Sequence, residues 1–149
     1  MLSNSAELSH ASKPILAGRL SATVAADTDT AITNSRERFR GGLPPRALRR
    51  VREHVQAHLD ESISLEVLAG IAGLSMYHFA RAFKQSEGVT PHEYIVQSRV
   101  RHGLELLAAT QLPLSEIALA SGFSDQSHFA RRFREHMGIT PSSYRWSMR

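Results

Sequence analysis

The chain reads as an all-α protein: two helix-turn-helix subdomains joined by a long linker helix. Two observations predict this. The first is a repeat. His78-Phe79-Ala80-Arg81-Ala82-Phe83-Lys84 returns fifty positions later as His128-Phe129-Ala130-Arg131-Arg132-Phe133-Arg134, Gly88-Val89-Thr90-Pro91 returns as Gly138-Ile139-Thr140-Pro141, and Tyr94 returns as Tyr144. Upstream, Ala72-Gly73-Leu74-Ser75 returns as Ser121-Gly122-Phe123-Ser124, so the second copy carries one inserted residue. Such a period marks two copies of one supersecondary unit. The second observation is helical apolar spacing within each copy, interrupted by Gly and by Thr-Pro.

Residues 1–43 are rich in Ala, Ser and Thr and hold no long apolar period, so they are expected to be a flexible leader or the remnant of a sensor domain. Gly41-Gly42 and Pro44-Pro45 mark the boundary of a domain over 44–149. Pro45 suits a first helical turn, and Leu48, Val51, Val55 and Leu59 then predict a helix over roughly 45–60. Ser64 is a cap candidate for the next helix, whose face is Leu68, Ala69, Ile71 and Ala72, with small Ala69 where two helices cross. Gly73 ends it and Ser75 caps the helix that follows, in which Phe79, Ala82 and Phe83 face inward. Thr90-Pro91-His92-Glu93 reads as a capping box opening one helix to about Ala109, with Tyr94, Ile95, Val100, Leu104 and Leu107 as its stripe. At 1.5 Å per residue that rod is about 28 Å long.

Gln111-Leu112-Pro113 breaks the rod and starts the second copy. There Ile117, Ala118 and Ala120 make the first helix, Gly122 ends it, and Phe123 plugs the core. The insertion brings Asp125 into register with Ser75 as the cap. Phe129 and Phe133 face inward. Thr140-Pro141 opens a last short helix, with Tyr144 and Trp146 expected to pack back.

The outward faces carry the chemistry. In copy one they are Met76, Tyr77, Ala80, Arg81 and Lys84; in copy two, Gln126, Ser127, Ala130, Arg131 and Arg134. Arg81 and Arg131 can each pair with guanine O6 and N7, and Gln126 with adenine. Tyr77 and Met76 can pack on thymine methyls or on the backbone. Lys84, Arg134 and Arg132 suit phosphate, which adds affinity without sequence information. His78 and His128 are read as structural or phosphate-facing. Major grooves on one side of B-DNA recur about every 34 Å, so the rod is expected to present both helices to one duplex and let a monomer read an asymmetric site.

The remaining features exclude more than they assert. The net charge of +4 suits a polyanionic partner. There is no cysteine, which removes disulfides, thiol catalysis and Cys-based zinc sites and fits a reducing cytoplasm. No membrane span or secretory signal is expected. His54 and His58 form an i,i+4 pair without an evident third ligand, so no metal and no cofactor is expected. No Ser/His/Asp cluster or phosphate-binding Gly loop points to an enzyme.

The repeat, the paired Gly-x-Thr-Pro starts and the stretch Ile117-Ala118-Leu119-Ala120-Ser121-Gly122-Phe123-Ser124 resemble the AraC/XylS family of bacterial transcriptional regulators, over about residues 45–147. The resemblance implies seven helices in two homeodomain-like units, binding to double-stranded promoter DNA, and contact with RNA polymerase as an activator. It places the recognition positions on Met76, Tyr77, Ala80 and Arg81, and on Gln126, Ser127, Ala130 and Arg131. Ala80 departs in chemistry, since it cannot hydrogen-bond a base edge. Family members usually carry an effector-binding, dimerising domain ahead of this one, so regulation by a small molecule is not expected within these residues. The alternative reading is a protein-interaction module that acts on a full-length regulator or on polymerase without reading DNA.

Overall fold

The computed structural model describes residues 41–149. Among them are seven helices and no strand: α1 Pro45–Ala57, α2 Leu65–Ala72, α3 Met76–Glu87, α4 Pro91–Ala109, α5 Leu114–Ala120, α6 Gln126–Met137 and α7 Pro141–Ser147. None is long and apolar enough to cross a membrane. The described residues fall into two compact units, one ending at Ser98 and the other beginning at Arg99.

In the first unit, α1 buries Leu48, Val51 and Val55 against Leu68 and Ala69 of α2 and Phe79, Ala82 and Phe83 of α3, with Tyr94 and Ile95 closing the cluster. The Phe83 ring meets Phe79 at 5.6 Å and Tyr94 at 5.3 Å between centroids. The second unit repeats that aromatic run: Phe133 lies 5.6 Å from Phe129 and 6.1 Å from Tyr144. Phe123 sits 5.3 Å from Phe129 and is buried, filling the core as expected.

The helix ends follow the predicted chemistry. Ser64 Oγ accepts from the Val67 amide at 3.1 Å, Ser75 Oγ from His78 at 3.2 Å, and Thr90 Oγ1 from Glu93 at 3.1 Å. In the second unit Asp125 Oδ1 accepts from the His128 amide at 2.8 Å and Thr140 Oγ1 from Ser143 at 3.1 Å. Each bond satisfies an amide that the helix leaves without an intrahelical partner. Gly73, at φ 70°, lets α2 stop and the chain reverse within three residues. The inserted residue of the second copy lies in the longer turn between α5 and α6. There Ser121 is the C-cap of α5 and its hydroxyl donates to Ile117 O at 2.7 Å.

Two elements differ from what the sequence predicts. Helix α1 ends at Ala57 rather than 60: His58 leaves helical geometry at φ −127°, its Nδ1 lies 2.7 Å from Glu61 Oε2, and a turn closes from the Glu61 amide to His58 O. Trp146 does not pack back; it is 72% exposed, with the Arg149 guanidinium 5.7 Å from its ring centroid, while Tyr144 is buried as read. Leu43 stands at the end of the stretch expected as a leader. Leu43 is 2% exposed, and its amide donates to Ser86 Oγ at 2.8 Å, so the packed unit begins before Pro44. Residues 1–40 of that leader lie outside the described residues.

Candidate nucleic-acid interface

Helices α3 and α6 each bury one face in their own unit and leave the other in water. On α3 the outer residues are Met76, Tyr77, Arg81 and Lys84, all exposed, with Ala80 half-buried between them. On α6 they are Gln126, Ser127, Arg131 and Arg134, all exposed, with Ala130 half-buried. All ten residues predicted for the site therefore lie on two equivalent helix faces. Ala80 and Ala130 keep each face low at its centre, and the longer side chains flank them.

The cations differ in their surroundings. Arg81 stacks over Tyr77 with its guanidinium carbon 5.7 Å from the ring centroid, and its Nη1 donates to Tyr77 Oη at 3.4 Å. Arg132, also expected to face phosphate, donates from Nη1 to Glu135 Oε2 at 2.5 Å, one turn on in α6. Lys84 and Arg134 lie in the last turns of α3 and α6, where a cation also opposes the helix dipole. His78 Nδ1 lies 2.9 Å from Ser75 Oγ, and the His128 ring packs edge-on to Phe123 at 5.3 Å, so both histidines support the start of their helix. On α4, burial pushes the Arg99 guanidinium below its ordinary value; it remains a cation at neutral pH.

Other contacts, between residues far apart in the chain, position these helices. Arg52 of α1 donates from Nε to Glu87 Oε1 at 2.8 Å and forms an ion pair with the same oxygen. The Glu87 side chain is only 1% exposed, so the last residue of α3 is tied to α1. A signal was present: fifty positions on, the equivalent residue is Met137, and an acid that replaces an inward apolar residue needs a partner. Arg145 donates to Leu112 O and, at 3.2 Å, to Thr110 O, satisfying carbonyls of the loop between α4 and α5. Gly103 of α4 lies against Phe129, and a Cβ placed on it would sit 2.5 Å from that ring.

The pair His54 and His58 stacks at 4.3 Å between ring centroids, and no group of three or more potential metal ligands occurs among the described residues.

A family model described as a helix-turn-helix domain matches residues 68–147. The chain is 38% identical over 74 residues to the probable transcriptional regulator LumQ of Photobacterium leiognathi, a match covering 50% of this chain and 30% of that protein. It is 32% identical over 80 residues to the HTH-type transcriptional activator Btr of Bacillus subtilis (strain 168), covering 54% of this chain and 15% of that protein. The match thus spans less than a third of either relative. Among solved structures, the DNA-binding domain of the global transcriptional factor AdpA, crystallised with a target DNA, superposes with a TM-score of 0.64 at 29% identity, covering 68% of this chain and 91% of that one.

Proposed function

The chain belongs to the AraC/XylS family of transcriptional regulators, and from that premise we propose that it reads promoter DNA by inserting α3 and α6 into the major groove. The observation that carries this is the pair of register-matched outer faces, each with a small alanine at its centre and an exposed arginine beside it. A low centre lets the helix approach the base edges, and arginine is the side chain whose fork matches guanine O6 and N7. Arg81, Arg131 and Gln126 are assigned to bases. Lys84 and Arg134, at the last turns, are assigned to phosphate. The domain that does this runs from the Gly41–Leu43 segment to the C-terminal residues.

One chain is proposed to cover both half-sites, in successive grooves, without a second copy. Activation is favoured over repression by the likeness to Btr, whose name is that of an activator. The activating contact would be with RNA polymerase, and the working compartment would be the cytoplasm. Selecting bound sequences from a random DNA pool, then footprinting the winner, tests the reading. An asymmetric protected site of about two helical turns is expected. Arg131→Ala should weaken it by roughly tenfold or more, in keeping with about 1–3 kcal/mol for a bidentate base contact. An unchanged affinity would remove α6 from the interface. Transcription from that site with purified polymerase distinguishes activation from repression.

A further inference from the structure

We infer that the two units read different chemistry: α3 reads thymine methyl groups beside a guanine, whereas α6 reads hydrogen-bonding base edges alone. This rests on the proposed entry of both helices into major grooves. At the outer positions of its first turn, α3 carries Met76 and Tyr77, 50% and 66% exposed. The matching positions of α6 are Gln126 and Ser127. The Met76 side chain and the Tyr77 ring, left largely in water, gain by burial against an apolar partner. In the major groove that partner is the thymine C5 methyl group, the feature that base edges otherwise lack.

The second observation concerns the cation. Arg81 lies one turn beyond Tyr77 and is held over its ring at 5.7 Å, with an N–H donated to the phenol oxygen at 3.4 Å. Stacking and hydrogen bonding to one neighbour restrict the guanidinium before DNA arrives, which lowers the entropy cost of placing it on a base. Arg81 and Tyr77 therefore act together: the fork on guanine, the ring against the methyl of an adjacent thymine. Arg131 has Ser127 one turn before it, and a serine offers no ring. Its half-site is read by the fork of Arg131 and the amide of Gln126.

The test alters the DNA and leaves the protein intact. In the selected site, each thymine is replaced by uracil, which removes only the methyl group, and each guanine by 7-deazaguanine, which removes the N7 acceptor. Arg81→Ala and Arg131→Ala assign the half-sites, because each variant becomes indifferent to deazaguanine at its own base. Uracil is expected to weaken binding about fourfold per contacted methyl in the α3 half-site and to change nothing in the α6 half-site. Met76→Ala and Tyr77→Ala combined should abolish the uracil effect and keep the deazaguanine effect. Uracil sensitivity under α6, or none under α3 while deazaguanine still weakens binding, overturns the inference and leaves DNA reading in place. Indifference to both substitutions throughout overturns the proposed function itself.

Discussion

Gly103→Ala is the sharpest test of the packing described for the second unit. In a helix interior the exchange of glycine for alanine ordinarily stabilises by roughly 1 kcal/mol. At Gly103 the added carbon would stand 2.5 Å and 2.8 Å from two ring carbons of Phe129, and 3.1 Å from Ser121 Oγ. Unstrained carbon pairs sit at about 3.5–4.0 Å. Phe129 is fully buried and flanked by Phe123 and Phe133, so its ring has little room to withdraw. Overpacking of this kind costs typically about 1–3 kcal/mol, and a displacement near 1 Å belongs at the upper end. The net expectation is a loss of about 1–2 kcal/mol, read as a lower urea midpoint with an unchanged slope. Gly70→Ala is the control. Gly70 lies inside α2 with nothing within 4 Å of an added carbon, so a gain of about 0.5–1 kcal/mol is expected there. Equal stabilisation by both substitutions would refute the close approach of α4 to Phe129. Gly103→Ala and Phe129→Leu combined should cost less than the sum of the two alone, because they share one space.

The ion pair of the first unit gives an asymmetric expectation: Arg52→Ala should destabilise by about 3–5 kcal/mol, by stranding the buried Glu87 carboxylate. Adding Glu87→Met, which copies Met137, should return most of that loss in chemical denaturation, and a double variant no better than the single one would contradict the assignment. Asp125→Ala removes the acceptor for the His128 amide and should cost about 1 kcal/mol by the same assay, with Asp125→Ser nearly neutral. Lys84→Ala should weaken DNA binding evenly across sequences and flatten the slope of log affinity against log salt by about 1; a change in sequence preference would move Lys84 from the backbone to the bases.

The repeat made both helix pairs legible, and four of the caps were named because capping joins a side chain to an amide three residues on. The outer faces were legible for a similar reason, since helical spacing assigns a side once the inward phenylalanines are known. What escaped was non-local. Arg52 and Glu87 are separated by 35 residues, as are Arg145 and Thr110, and no period links such partners. Gly103 passed unnoticed because a glycine inside a helical pattern looks like a tolerated weakness until the facing ring is known. Trp146 was misplaced by its size: an indole is commonly buried, but Tyr144 already fills the inward position of that short helix.

The hydrogen bond from Leu43 to Ser86 has a practical side. A fragment cut to start at Pro44 would discard a seated leucine and leave a hydroxyl unanswered one residue from the end of α3. Any tag, fusion partner or natural upstream neighbour should therefore be joined ahead of Gly41, with the short Gly41-Gly42-Leu43 stretch kept as part of the folded piece.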